Sequence, residues 1–132
     1  MKLRVAHIKI LPKQAVALLS ALHQVTGPKG FLFPAIGRSK NPISENTMND
    51  ALRRMDFSAD EHSSHGFRAT ASTLLNAANM FSPDAIERSL AHQDKDAVRR
   101  AYARGDAMVE RKRMAQWWAD YLDSLERCKS AL

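Results

Sequence analysis

The stretch HGFRATASTLLNAANMFSPDAIERSLAH, residues 65–92, sets the fold class of this chain. Phe67, Ala71, Leu74, Leu75 and Ala78 recur at spacings of three and four, which predicts a helix with one buried face. His65 and Arg68 stand away from the centre of that face, one turn apart at the helix start, where unpaired backbone N–H groups favour an anion. Ser82-Pro83-Asp84 then opens a second helix with a capping hydroxyl, a proline at the first helical position and an acidic first turn. That helix is expected to run to about Leu90, and His92 follows its end. Two helices in close succession, each bordered by a polar residue suited to a ligand, indicate a mainly α domain.

Outward from this stretch the helical pattern continues. Downstream, a short helix or turn from Asp94 leads to Tyr102, which lies among Arg99, Arg100 and Arg104, and Gly105 interrupts the chain before the next element. A last helix, roughly Ala107 to Arg127, carries Met114, Trp117, Trp118, Tyr121, Leu122 and Leu125 on one stripe. Upstream, Ser44 suits the N-cap of a helix with Met48, Leu52 and Met55 facing the core and Arg53 and Arg54 facing solvent. Residues 27–43 read as a long loop pinned to the core by Phe31 and Phe33. Before it, Ala15, Leu18, Leu19 and Leu22 predict a helix from Lys13 that stops at Gly27-Pro28. The segment Leu3 to Leu11 mixes β-branched and basic residues, ends at Pro12, and reads as a strand or half a hairpin.

A chain of 132 residues with 45% hydrophobic content fits one domain with a real core. Twenty Lys and Arg against fourteen Asp and Glu give a net charge of +6, the footprint of a surface that meets phosphate backbones. The single Cys128 cannot form an internal disulfide, which fits a reducing cytoplasmic setting. No run of eighteen apolar residues suggests a membrane span.

Arg68 presents a planar fork suited to two phosphate oxygens, against the alternative of an Arg paired with a surface carboxylate. His65 reaches the same anion as a donor or proton acceptor, or else caps the helix. His92 donates to a second phosphate oxygen, or serves its helix as a C-capping group. Tyr102 is a weak nucleophile unless cations or a base help it lose its proton, and three arginines crowd it in sequence; a core tyrosine is the alternative. His62 and His65 are not carried on one helix and the only cysteine, Cys128, is far away, so no zinc site is expected. Neither G-x-x-x-x-G-K-[ST] nor G-x-G-x-x-G occurs, so no nucleotide cofactor is expected.

In this order the residues resemble the tyrosine recombinase (phage integrase) family, especially integrases of satellite prophages and integrative islands. His65-Gly66-Phe67-Arg68-Ala69-Thr70 is similar to the family's H-x-x-R box, Ile86 to His92 to the segment leading into its second His, and Tyr102 to its nucleophile. Phe31-Leu32-Phe33-Pro34 and Ser44-Glu45-Asn46-Thr47-Met48 resemble the same branch, and Lys2 takes the place of the family's β-hairpin lysine. The resemblance implies a helical catalytic domain with a remnant N-terminal β-strand or hairpin, acting on double-stranded DNA at an attachment site through a 3′-phosphotyrosyl intermediate. The catalytic set it implies is Tyr102, Arg68, His65, His92 and Lys2, with self-association through the C-terminal helix. The family's earlier Arg has no match here, so residues 1–132 are expected to be one partial catalytic domain. The core-binding domain and the first strands are expected to be missing, and the chain to be inactive by itself. The competing reading is a non-catalytic helical DNA-binding or regulatory module.

Overall fold

A computed structural model describes residues 8–90 and 106–129. In chain order its elements are α1 (Lys13–Thr26), β1 (Pro34–Ala35), β2 (Arg38–Pro42), α2 (Thr47–Arg54), α3 (Gly66–Ala78), α4 (Pro83–Ser89) and α5 (Asp106–Lys129). The protein is mainly helical, with one small antiparallel hairpin among the described residues. It divides into two compact units: Val16–Ala71, and Met1–Ala15 with Ser72–Leu132, the divisions falling inside α1 and α3.

In the unit that includes the C-terminus, Leu75 of α3, Phe81, Ile86 of α4 and Met114 of α5 form the buried cluster, and Leu90, Trp117 and Trp118 pack against it. The α4 start follows its sequence signals: Ser82 is extended, and its hydroxyl accepts the Ala85 N–H at 3.3 Å. Glu110 of α5 clamps the same residue, receiving the Ser82 N–H and Oγ–H at 2.7 Å each. Along α5, Trp117 meets Phe81 edge-on at 5.7 Å and stacks on Tyr121 at 5.5 Å. The upper part of the predicted stripe is therefore committed to its own unit, whereas Leu122 and Leu125 stay exposed. A second α5 face meets the start of α1. There Gln14 donates to Asp120 at 2.8 Å and Asp123 at 2.9 Å, and the Lys13 N–H donates to Gln116 at 3.1 Å. Ala119 lies midway along that face and is buried, a position the aromatic stripe did not predict.

The other unit holds the rest of α1, the hairpin, α2 and the first turn of α3. Leu52 is its one buried hydrophobic side chain among the described residues. Met48 and Met55 are exposed, so the predicted three-residue core stripe of α2 reduces to its centre. The helix also starts later than Ser44. Asn46 occupies the cap position without a side-chain bond, while Ser44 makes a turn through its carbonyl to the Thr47 N–H at 3.1 Å and its hydroxyl to Thr47 Oγ1 at 2.9 Å. The hairpin lies where a loop was expected, pairing Pro34 with Pro42 and Ala35 with Arg38 around a break in register. Prolines at both its ends hid it from strand pattern reading. Phe31 and Phe33 are about half exposed and do not pin the segment to a core. Of the segment Leu3 to Leu11, the described residues 8–11 carry no strand pairing.

Candidate functional site

His65 and Arg68 are placed by the connection between α2 and α3, and that connection is tied down at each step. Asp56 closes α2 in the left-handed region (φ 66°). The Phe57 N–H reaches the Leu52 carbonyl at 3.1 Å and the Asp56 N–H that of Arg53 at 3.0 Å, the two bonds of a Schellman turn. Ser58 and Glu61 then bond reciprocally, the Ser58 N–H to Glu61 Oε2 at 2.7 Å and the Glu61 N–H to Ser58 Oγ at 3.3 Å. The Ser58 donors hold the Glu61 carboxyl below the ordinary glutamate range.

Arg53, expected at the surface, is half-buried and turns back over this loop. Its guanidinium donates to the Phe57 carbonyl and, at 2.7 Å, to the His62 carbonyl. Asn49 fixes the next step by accepting the Ser64 N–H at 2.8 Å. The Gly66 N–H bonds to Ser63 through both its carbonyl (2.9 Å) and its hydroxyl (3.2 Å), and the Arg68 N–H reaches the His65 carbonyl at 3.1 Å. The His62 ring fills the space beside Gly66 and meets Phe67 edge-on at 4.3 Å. Its Nε2 is buried without a partner among the described residues.

The result presents His65 exposed just before α3 and Arg68 half-buried on its first turn, and neither side chain has a hydrogen-bond or ion-pair partner among the described residues. Among the described residues Arg68 is thus not paired with a carboxylate, the alternative its sequence left open. Lys2, His92 and Tyr102, the other candidate residues, lie outside the described residues.

The segment that leads toward His92 is anchored in its own unit. Lys9 Nζ donates to the Ser89 carbonyl at 2.9 Å. Arg111 of α5 donates through Nε to Ser89 Oγ at 3.2 Å and through Nη2 to the Ile8 carbonyl at 2.5 Å. Two cations therefore sit at the C-terminal end of α4, where the helix dipole favours them. Burial first, and Arg88 beside it second, lower the Arg111 pKa from the ordinary arginine value. None of Asn49, Lys9, Arg111 or Glu110 stood out in the sequence. Each acts through a backbone group of a distant segment, and such a bond leaves no mark in residue type.

No described helix is long and apolar enough to cross a membrane. The phage integrase family model matches residues 1–108. The chain is 44% identical over 125 residues to the integrase of Enterobacteria phage P4, a match covering 93% of this chain and 28% of that protein. It is 40% identical over 126 residues to the prophage integrase IntA of Escherichia coli strain K12, covering 96% and 30%. Against the integrase of Shigella phage Sf6 the identity is 36% over 128 residues, covering 96% and 33%. The chain thus spans about a third or less of the length of these relatives. No solved structure gives a significant match.

Proposed function

From the premise that this chain belongs to the phage integrase family, we propose that it is part of the catalytic domain of a site-specific DNA recombinase that works through a 3′-phosphotyrosyl intermediate. The observation that carries the reading is the rigidly delivered His65 and Arg68 pair, uncommitted to any described partner at the start of α3, within the region the family model matches.

In this mechanism the Tyr102 oxygen attacks the scissile phosphorus and passes its proton to His65. A P–O bond to Tyr102 forms as the bond to the 5′-oxygen breaks, and Lys2 protonates that leaving oxygen. Arg68 grips the non-bridging oxygens as charge develops on them, and His92 donates one further hydrogen bond. Attack by a 5′-hydroxyl on the phosphotyrosine then reverses each step and rejoins the strand, so that phosphodiester energy is conserved and no nucleotide is consumed. Loss of any one of these electrostatic contacts lowers the rate on the order of a hundredfold or more. The family's further Arg has no match in these residues, and for that reason we infer that the 132-residue chain alone does not cleave.

The substrate in this reading is a double-stranded attachment site, and the exposed Leu122 and Leu125 rim of α5 is the proposed surface of self-association on it. The test is covalent capture. In the full-length protein, attachment-site DNA nicked beside the scissile phosphate accumulates as a covalent complex with wild type and not with Tyr102→Phe, while duplex affinity is retained. Equal absence of the complex in both proteins, with binding intact, favours the non-catalytic DNA-binding module. Robust cleavage by the 132 residues alone overturns the inactivity of the fragment.

A further inference from the structure

The charge of this protein is unevenly placed. No Asp or Glu occurs before Glu45, whereas seven of the twenty Lys and Arg lie in residues 1–44, so the remaining two-thirds of the chain is close to neutral. Within that acid-free region the β1–β2 hairpin projects an apolar tip. Ala35 pairs with Arg38, leaving Ile36 and Gly37 as a two-residue turn. Gly37 takes the left-handed region (φ 72°) while Ile36 does not, the pattern of a type II turn, and the glycine is needed there. Ile36 is needed by nothing in the fold: it is fully exposed, at a turn position that usually holds proline or a polar residue. In the same segment Lys29 and Lys40 are exposed, and Phe31, Leu32 and Phe33 are each about half exposed.

An apolar side chain at a hairpin tip, with cations and no carboxylate in the surrounding stretch of sequence, has the form of elements that insert a wedge into a DNA groove while holding the adjoining phosphates. We propose that residues 27–44 form a DNA-contacting arm in which Ile36 seats against sugar and base edges in a groove of the duplex and Lys29 and Lys40 bind flanking phosphates. This arm rests on the proposed DNA recombinase function and adds to it a contact outside the five proposed catalytic residues.

The experiment is fluorescence anisotropy of the 132-residue chain with a labelled 30-base-pair duplex across a salt series. Lys29→Ala and Lys40→Ala each lower the slope of log affinity against log salt by about one ion. Ile36→Ser weakens binding about fivefold, the loss expected from one partly buried aliphatic side chain, and leaves the salt slope unchanged. All three keep the wild-type melting temperature, because none of these side chains is buried. Lys112→Ala, an exposed cation on α5, is the control and leaves the slope unchanged. Wild-type binding with slopes and affinities untouched by the three hairpin variants overturns the arm alone. Absence of any salt-dependent binding by wild type overturns the DNA reading and the arm with it. Equal weakening of single-stranded and duplex binding by Ile36→Ser overturns the groove assignment, since a groove exists only in the duplex.

Discussion

Gly66 shows how a single missing methyl group sets up the candidate site. A Cβ built there lies 3.1 Å from His62 Cε1 and 3.3 Å from its Nδ1, tighter than ordinary van der Waals contact so that the ring must give by a few tenths of an ångström, and His62 is held in place by the Arg53 bond to its carbonyl and by the Phe67 ring. Gly66→Ala has two opposing consequences: alanine favours the helix by up to about 1 kcal/mol, and the displaced imidazole takes back that much or more through lost packing. Because the ring has little room to retreat, the expected net effect is a loss of about 1 kcal/mol, read as a lower urea midpoint. In a His62→Ala background the obstruction is gone, and Gly66→Ala becomes neutral or stabilising; the same loss in both backgrounds would place the cause elsewhere. The helix start that carries His65 and Arg68 was legible in sequence because helix periodicity marked α3. The placement of His62 and Arg53 was not. A half-buried Arg bonded to two loop carbonyls has the same letter and the same helix position as a solvated one.

At the scale of elements, α4 and α5 are joined through one carboxylate. The Ser82 N–H and then its Oγ–H hold the Glu110 pKa below the ordinary glutamate value, with Arg113 adding to the effect. A carboxyl that binds its proton less readily in the folded protein stabilises the fold fully above its unfolded pKa, and that contribution disappears as the pH falls through the folded value. The melting temperature of wild type is therefore expected to exceed that of Glu110→Gln near neutral pH, with the gap closing from about pH 5 downward. A gap that stayed constant down to about pH 3 would show that packing, and not the ionised carboxylate, joins the helices. Ser82→Ala removes the cap as well as the donor and is expected to cost about 1 to 2 kcal/mol at neutral pH. The start of α4 was legible because Ser82-Pro83-Asp84 acts through bonds within four residues. Ser44 misled for the corresponding reason: a hydroxyl that suits a cap also suits a turn, and here the turn won, three residues before the helix. The hairpin escaped notice since two-residue and five-residue strands bounded by prolines carry no alternation.

At the scale of the molecule, little apolar surface is buried. Seven hydrophobic residues are buried among the described ones, against eighteen large hydrophobics that are exposed. Helix α1 carries an apolar stripe opposite Lys13, Ser20, His23 and Gln24 yet buries none of its residues, leaving Leu18 at 72% and Val25 at 83% exposure. A stripe of that kind ordinarily faces a core or a partner, and exposed apolar surface on this scale drives association. The 132-residue chain is therefore expected to gain apparent mass with concentration on size-exclusion chromatography with light scattering. Two surfaces compete for the cause: the α1 face and the Leu122 and Leu125 rim of α5. Truncation after Gly105 cannot separate them, because it also removes Met114 from the core cluster. Leu122→Glu with Leu125→Glu leaves that cluster whole and is expected to change stability by no more than about 0.5 kcal/mol per site. If α5 carries the self-association, this variant is monomeric across the concentration range and Leu18→Glu with Val25→Glu still associates. The opposite pattern would assign association to α1 and remove the support that Leu122 and Leu125 give to a trans-docking helix. Sequence periodicity predicted the helices but could not choose between these surfaces, since an apolar stripe records that a face is to be covered and not by what.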